Sequence, residues 1–119
     1  MSTNTPQVKA TQLELERKVS REETVVRARG HLTFDVAAHF KQEVRPLIAE
    51  TESLVLDFTE VSYMDSSGLG AVMSLYVSAK KAGCGFHLIN FNQRIRQLLG
   101  LTNVLAIFET CGKYMIKIP

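Results

Sequence analysis

Leu54-Val55-Leu56-Asp57-Phe58-Thr59-Glu60-Val61-Ser62-Tyr63-Met64-Asp65-Ser66-Ser67-Gly68-Leu69-Gly70 is the stretch on which the reading of this chain turns. It opens with a short continuous apolar run, Leu54 to Leu56, as expected of a strand covered on both faces. After it the period changes. Leu69, Val72, Met73, Tyr76, Val77 and Lys80 recur at helical spacing, and Gly83 ends that run where a left-handed residue is common. A strand therefore runs into an amphipathic helix, with Asp65 or Ser66 as its N-cap. Ser66 is placed where free backbone N–H groups and the positive end of the helix dipole converge. A phosphate there would carry a charge of about −1.5 to −2, and helix N-termini accept anions readily. Taken alone, Asp65-Ser66-Ser67-Gly68 is also an ordinary helix cap.

Working outward, Leu13 and Leu15 alternate with Glu14 and Glu16, a strand with one wet face. Ser20 to Glu23 is a polar turn. Val26, Ala28 and Leu32 then alternate with Arg27, Arg29 and His31, so an antiparallel hairpin is predicted. Phe40, Val44, Leu47 and Ile48 mark one face of a helix, with Thr33 as N-cap and Asp35 in the first turn. Pro46 predicts a kink, or an end near Arg45. Phe86 to Phe91 is a predicted strand, Asn92 caps a third helix carrying Ile95, Leu98 and Leu99, and Val104 to Phe108 is a last strand. Tyr114 to Ile118 is a further edge strand or a docked tail. The fold class is α/β: one domain over 11–119 after a disordered tail at 1–10, with element order β-β-α-β-α-β-α-β. Its sheet is mixed and mostly parallel, with helices packed against it. Function in such sheets lies outside the carboxyl ends of the parallel strands. There the loops His31–Asp35, Val61–Ser67 and Asn90–Gln93 are expected to meet.

Composition excludes several alternatives. The chain has 119 residues, 45% of them hydrophobic and 22% charged, with a formal net charge of +2. That describes one ordinary globular domain, with no basic stripe to argue for nucleic acid. Met1 to Ala10 lacks the features of a signal peptide, and no apolar run approaches the ~20 residues of a membrane span. The expected location is the cytoplasm. Cys84 and Cys111 show no metal-ligand spacing and read as buried, reduced thiols. His31, His39 and His87 share no metal spacing either. His31 raises the question of a Ser–His hydrolase, but no Gly-x-Ser-x-Gly elbow surrounds Ser66 or Ser67. Gly83-Cys84-Gly85 follows a helix and enters a strand, the wrong order for dinucleotide binding, so it is a turn. Arg94 and Arg96 read as a solvated face. Neither a catalytic group, a metal site nor a cofactor is expected.

The segment Leu54–Phe58, then Val61, then Tyr63-Met64-Asp65-Ser66-Ser67-Gly68-Leu69-Gly70, resembles the central signature of STAS domains. Within them it is most similar to bacterial anti-sigma factor antagonists. The resemblance spans roughly Leu13 to Glu109 and includes Gly30 and Ile95 to Thr102. It implies a phosphorylation-switched binding domain rather than an enzyme. In such a system the unmodified antagonist binds an anti-sigma factor that is also a serine kinase, and a sigma factor is freed for transcription. The kinase, which holds the nucleotide and Mg²⁺, phosphorylates the first motif serine, here Ser66. The complex then dissociates, and a serine phosphatase reverses the change. By the same resemblance, the partner-binding residues are Thr33, Asp35, Met64, Asp65, Ser66, Ser67, Gly68 and Phe91, with Met64 and Phe91 read as exposed contacts against a core alternative. Family members often carry Gly-Glu-Leu-Asp before the first helix. This chain has Gly30-His31-Leu32-Thr33, which removes a carboxylate that Asp35 partly replaces. A second reading keeps the fold and makes the chain a structural or regulatory subunit, in a stress-signalling assembly or beside a lipid-transporting ATPase. Direct membrane contact is not expected, and a homodimer is compatible with either reading.

Overall fold

The alternation in the first thirty residues builds a hairpin. In the computed structural model, which describes residues 13–101, β1 (Leu13–Lys18) pairs antiparallel with β2 (Thr24–Leu32), Leu13 opposite Gly30 and Lys18 opposite Val25. The turn between them is tied by Ser20, whose Oγ accepts from Glu23 N–H at 3.1 Å and donates to Glu23 O at 2.7 Å. β2 then runs parallel to β3 (Ser53–Met64), and β3 parallel to β4 (Gly85–Ile89), so spatial order β1-β2-β3-β4 follows chain order. The helices α1 (Phe34–Ile48), α2 (Ser66–Ala82) and α3 (Gln93–Leu101) fill the crossovers and follow the last strand. The seven described elements match the predicted order. The expected tail at 1–10, the strand at Val104–Phe108 and the segment Tyr114–Ile118 lie outside the described residues, as does Cys111.

One hydrophobic cluster joins the inward side chains of β2 and β3 (Val26, Ala28, Leu32, Leu54, Leu56, Phe58) to α1, α2 and α3. The other face of the sheet mixes Val25 and Val55 with charged side chains. Arg29 pairs there with Glu60 at 2.6 Å and Glu14 at 3.2 Å, exposed contacts that solvent screens and that add little to stability.

Four local readings are corrected. Helix α1 passes through Pro46 and ends only at Ile48. The missing N–H frees the carbonyl of Gln42, and both residues are exposed, so the freed group faces no burial penalty. β3 extends through Met64, because Val61 and Met64 are buried beyond the apolar run and continue the pairing with β2. β4 stops at Ile89, where Asn90 takes a left-handed backbone with φ 63°, a conformation that asparagine tolerates. The core stripe of α2 is Gly68, Leu69, Ala71, Val72, Leu75 and Ala79, while Val77 is 48% exposed. Leu69 and Val72 lie on the expected face and Met73 and Tyr76 pack half-buried against the core, while Gly68, Ala71 and Ala79 belong to the stripe without an apolar signal of their own. Gly83 caps α2 with φ 74°, as expected.

Candidate functional site

The register of β2 and β3 builds the site. Leu32 pairs with Met64, so two adjacent parallel strands end together. Each is followed by one extended residue, Thr33 or Asp65, and then by a helix. The N-termini of α1 and α2 therefore start side by side at the carboxyl rim of the sheet.

Asp65 joins them. Its Oδ1 accepts the Gly68 N–H at 2.9 Å and caps α2; its Oδ2 accepts the Phe34 N–H at 3.0 Å and caps α1. Its own N–H donates to Leu32 O at 3.3 Å. Thr33 occupies the N-cap position of α1, but its side chain makes no cap bond; its hydroxyl donates to Asp35 Oδ1 at 2.7 Å instead. One carboxylate thus serves two helices, and the expectation that Thr33 caps α1 through its hydroxyl is corrected. Two helix dipoles, each positive at this end, explain why an acid suits the position.

Ser66 is the first residue of α2 and is exposed; Ser67 behind it is half-buried. Gly68 is buried against the end of β2, where a Cβ would lie 2.1 Å from Leu32 O. Asp35 is exposed in the first turn of α1. The rim therefore presents Thr33, Asp35, Asp65, Ser66 and Ser67 together. It does not present Met64 and Phe91 as exposed contacts: they are 4% and 0% exposed and belong to the core. Each falls on the inward side of a strand end or of the turn after it, so packing claims the side chain. His31 sits beside Tyr63 across the β2–β3 pair, rings edge to face with centroids 6.1 Å apart.

A second polar cluster lies within the sheet, on β3 seven residues before Met64, and was not anticipated. Asp57, only 7% exposed, accepts from Thr59 N–H at 3.0 Å, from the Thr59 hydroxyl, and from Asn90 Nδ2 at 3.2 Å; Arg27 stands 3.5 Å from its other oxygen. The only sequence signal was a lone acid after an apolar run. Asn92 completes the tie between the third loop and β3: its Oδ1 accepts the Ile95 N–H at 2.9 Å, capping α3 as predicted, and its Nδ2 donates to Val61 O at 3.2 Å. Burial pushes the Asp57 carboxyl up, but the Thr59 and Asn90 hydrogen bonds and Arg27 outweigh it and hold it below the ordinary 3.8. A depressed folded value gives stability that is in place above the ordinary value and drains as pH falls through the folded one. We expect Asp57→Asn to flatten that part of the acid limb below about pH 4 in urea titrations at stepped pH. An unchanged acid limb would show that Asp57 is not held as an ion.

Among the described residues no group of three or more His, Cys, Asp or Glu is placed to hold a metal ion. No helix among them is long and apolar enough to cross a membrane. Cys84 is buried, and burial raises its thiol above the ordinary range.

A four-stranded mixed sheet, helices over one face and a serine-bearing helix start at the strand ends together define a small α/β domain with its candidate site at the carboxyl rim. The family model described as STAS domain matches residues 14–114, and the chain belongs to that family. The anti-sigma-B factor antagonist of Bacillus subtilis is 29% identical over 84 residues, covering 71% of this chain and 77% of its own. An anti-sigma factor antagonist from Mycobacterium paratuberculosis has a similar fold, with TM-score 0.72, 22% identity and coverage of 81% of this chain and 82% of that one. The anti-sigma factor antagonist SpoIIAA in its unphosphorylated form gives TM-score 0.67 at 23% identity, covering 77% and 81%. The relatives are named for antagonism of another protein and not for a reaction, in agreement with a non-enzymatic role.

Proposed function

We propose that this chain is an anti-sigma factor antagonist whose binding is switched by phosphorylation of Ser66. Unmodified, it binds an anti-sigma factor that is also a serine kinase, and a sigma factor is released. Phosphorylated, it lets go, and a serine phosphatase resets it. The observation that carries this reading is the exposed Ser66 at the start of α2, beside the start of α1 at the rim of the sheet. The names of its relatives support the partner class.

The switch needs no unfolding. A phosphate on Ser66 would meet the positive end of α2 but sit next to the Asp65 carboxylate, effects of opposite sign that act on the domain itself. In a closed interface the same dianion must be desolvated without a matching cation, which costs several kcal/mol, or about 10²-fold or more in affinity. Ser66→Ala should take up no phosphate from the cognate kinase with Mg²⁺ and ATP yet keep binding. Ser66→Asp should weaken binding in a lysate pulldown read by mass spectrometry. Labelling that persists in Ser66→Ala moves the site elsewhere, and a partner indifferent to Ser66→Asp rejects the switch.

A further inference from the structure

We propose that Phe34 anchors this chain on its partner, its ring entering an apolar pocket that carries a cationic side chain on the side facing Asp35. The identity of that partner rests on the function proposed above; the surface itself does not. Four large apolar residues are exposed among the described ones: Val19, Phe34, Tyr63 and Val77. Val19 and Val77 are single side chains of the kind any surface carries. Phe34 differs, being 79% exposed although it begins a helix whose other face is core. Position alone asks nothing of that ring, because the first residue of α1 needs only its N–H satisfied, and Asp65 Oδ2 does that at 3.0 Å.

The same hydrogen bond carries the argument further. It fixes the backbone of Phe34 to the residue that precedes Ser66, so the ring stands on the phosphorylation rim and not elsewhere on the surface. Tyr63, 40% exposed, lies at the same strand ends. An aromatic ring on a held backbone has two torsions to freeze on binding, the low entropy cost that makes Tyr, Trp and Phe frequent interface anchors. Charge then selects the pocket. The exposed Asp35 follows the ring in α1, so a pocket edged with Lys or Arg on that side complements it and an acidic edge repels it, whereas the Asp65 charge beside Ser66 is already met by two helix N–H groups. A phosphate on Ser66 enters at the margin of that contact, where it disturbs the docked ring without displacing it from the free chain.

The test uses the full chain and the protein that wild type retains from source-cell lysate, purified once mass spectrometry has identified it. Phe34→Ala should weaken the complex by about 10-fold or more, Phe34→Leu should restore most of the loss, and Val77→Ala should stay within about twofold. Val77 lies 11 residues beyond Ser66 along α2, about 16 Å away, and so serves as the remote control. Asp35→Lys should also weaken binding, more at low salt than at high salt. An affinity unchanged by Phe34→Ala, with thermal unfolding also unchanged, overturns the anchor; so does a chain that retains no protein at all. Tighter binding by Asp35→Lys overturns the cationic edge. A partner lost with Phe34→Ala but indifferent to Ser66→Asp keeps this surface and removes the switch, and the opposite pattern keeps the switch and removes the anchor.

Discussion

Gly68→Ala is expected to destabilise the domain by about 3 kcal/mol or more, and Gly70→Ala two residues later to stabilise it by about 0.5–1 kcal/mol. Both glycines are helical, so alanine gains the same intrinsic propensity at each. Space decides the difference. A Cβ on Gly68 meets Leu32 O at 2.1 Å, Met64 Cγ at 2.8 Å and Leu32 Cγ at 2.9 Å, whereas one on Gly70 meets nothing within 4 Å. The worst of these neighbours is a backbone carbonyl, which cannot swing aside as a side chain does. Its own partner is the Asp65 N–H. Relief therefore requires α2 to lift by about an ångström from the end of β2, loosening the cap bonds at the rim. For a domain of this size about 1 kcal/mol moves Tm by about 4–8 °C, so the two variants should separate by more than 10 °C in calorimetry. A Gly68→Ala protein as stable as wild type would mean that α2 does not approach β2 this closely.

Asp65→Ala should cost about 2–4 kcal/mol, more than an ordinary cap, because two helices lose an acceptor at once. Loss of a single N-cap costs about 1 kcal/mol. Here Oδ1 and Oδ2 hold Gly68 N–H and Phe34 N–H at 2.9 and 3.0 Å, both as charge-assisted bonds. Asp65→Ser keeps one oxygen within reach of the Gly68 donor and should recover about half of the loss. Urea unfolding measures the total, and hydrogen exchange at the Phe34 amide reports the α1 link alone. Exchange there should rise in Asp65→Ser even as α2 is held. Equal stability of the Ala and Ser variants, or a Phe34 amide indifferent to both, would dismantle the double cap.

Much of this was legible along the chain. The hairpin could be read because Val26, Ala28 and Leu32 alternate with Arg27, Arg29 and His31, a period that only an extended strand with one wet face satisfies. The ends of α2 were readable because Asp65 and Gly83 are residues whose local chemistry favours a cap and a left-handed stop. The exposed Ser66 followed from the same local logic. Asn92 capped α3 for the reason that made Asp65 a cap: a short acceptor side chain before an apolar helical run.

What local pattern does not contain is which strand end meets which helix start. Asp65 capping α1 depends on the Leu32–Met64 pairing of β2 with β3, a contact between residues 32 positions apart. Met64 and Phe91 are apolar residues at strand ends, where sequence alone allows either surface or core; the volume beneath α2 and α3 took both inside. Phe34 went the other way: it is apolar, and only the tertiary arrangement leaves its ring outside. Asp57 gained its three partner residues from β2, β3 and the turn after β4, which no spacing announces. The sequence by itself determined the described elements, their order and the exposed serine at the start of α2, because these rest on periodicity and on capping chemistry within a few residues. Only the tertiary structure decided which side chains share the rim, because that depends on register between strands and on which faces the core has room to bury.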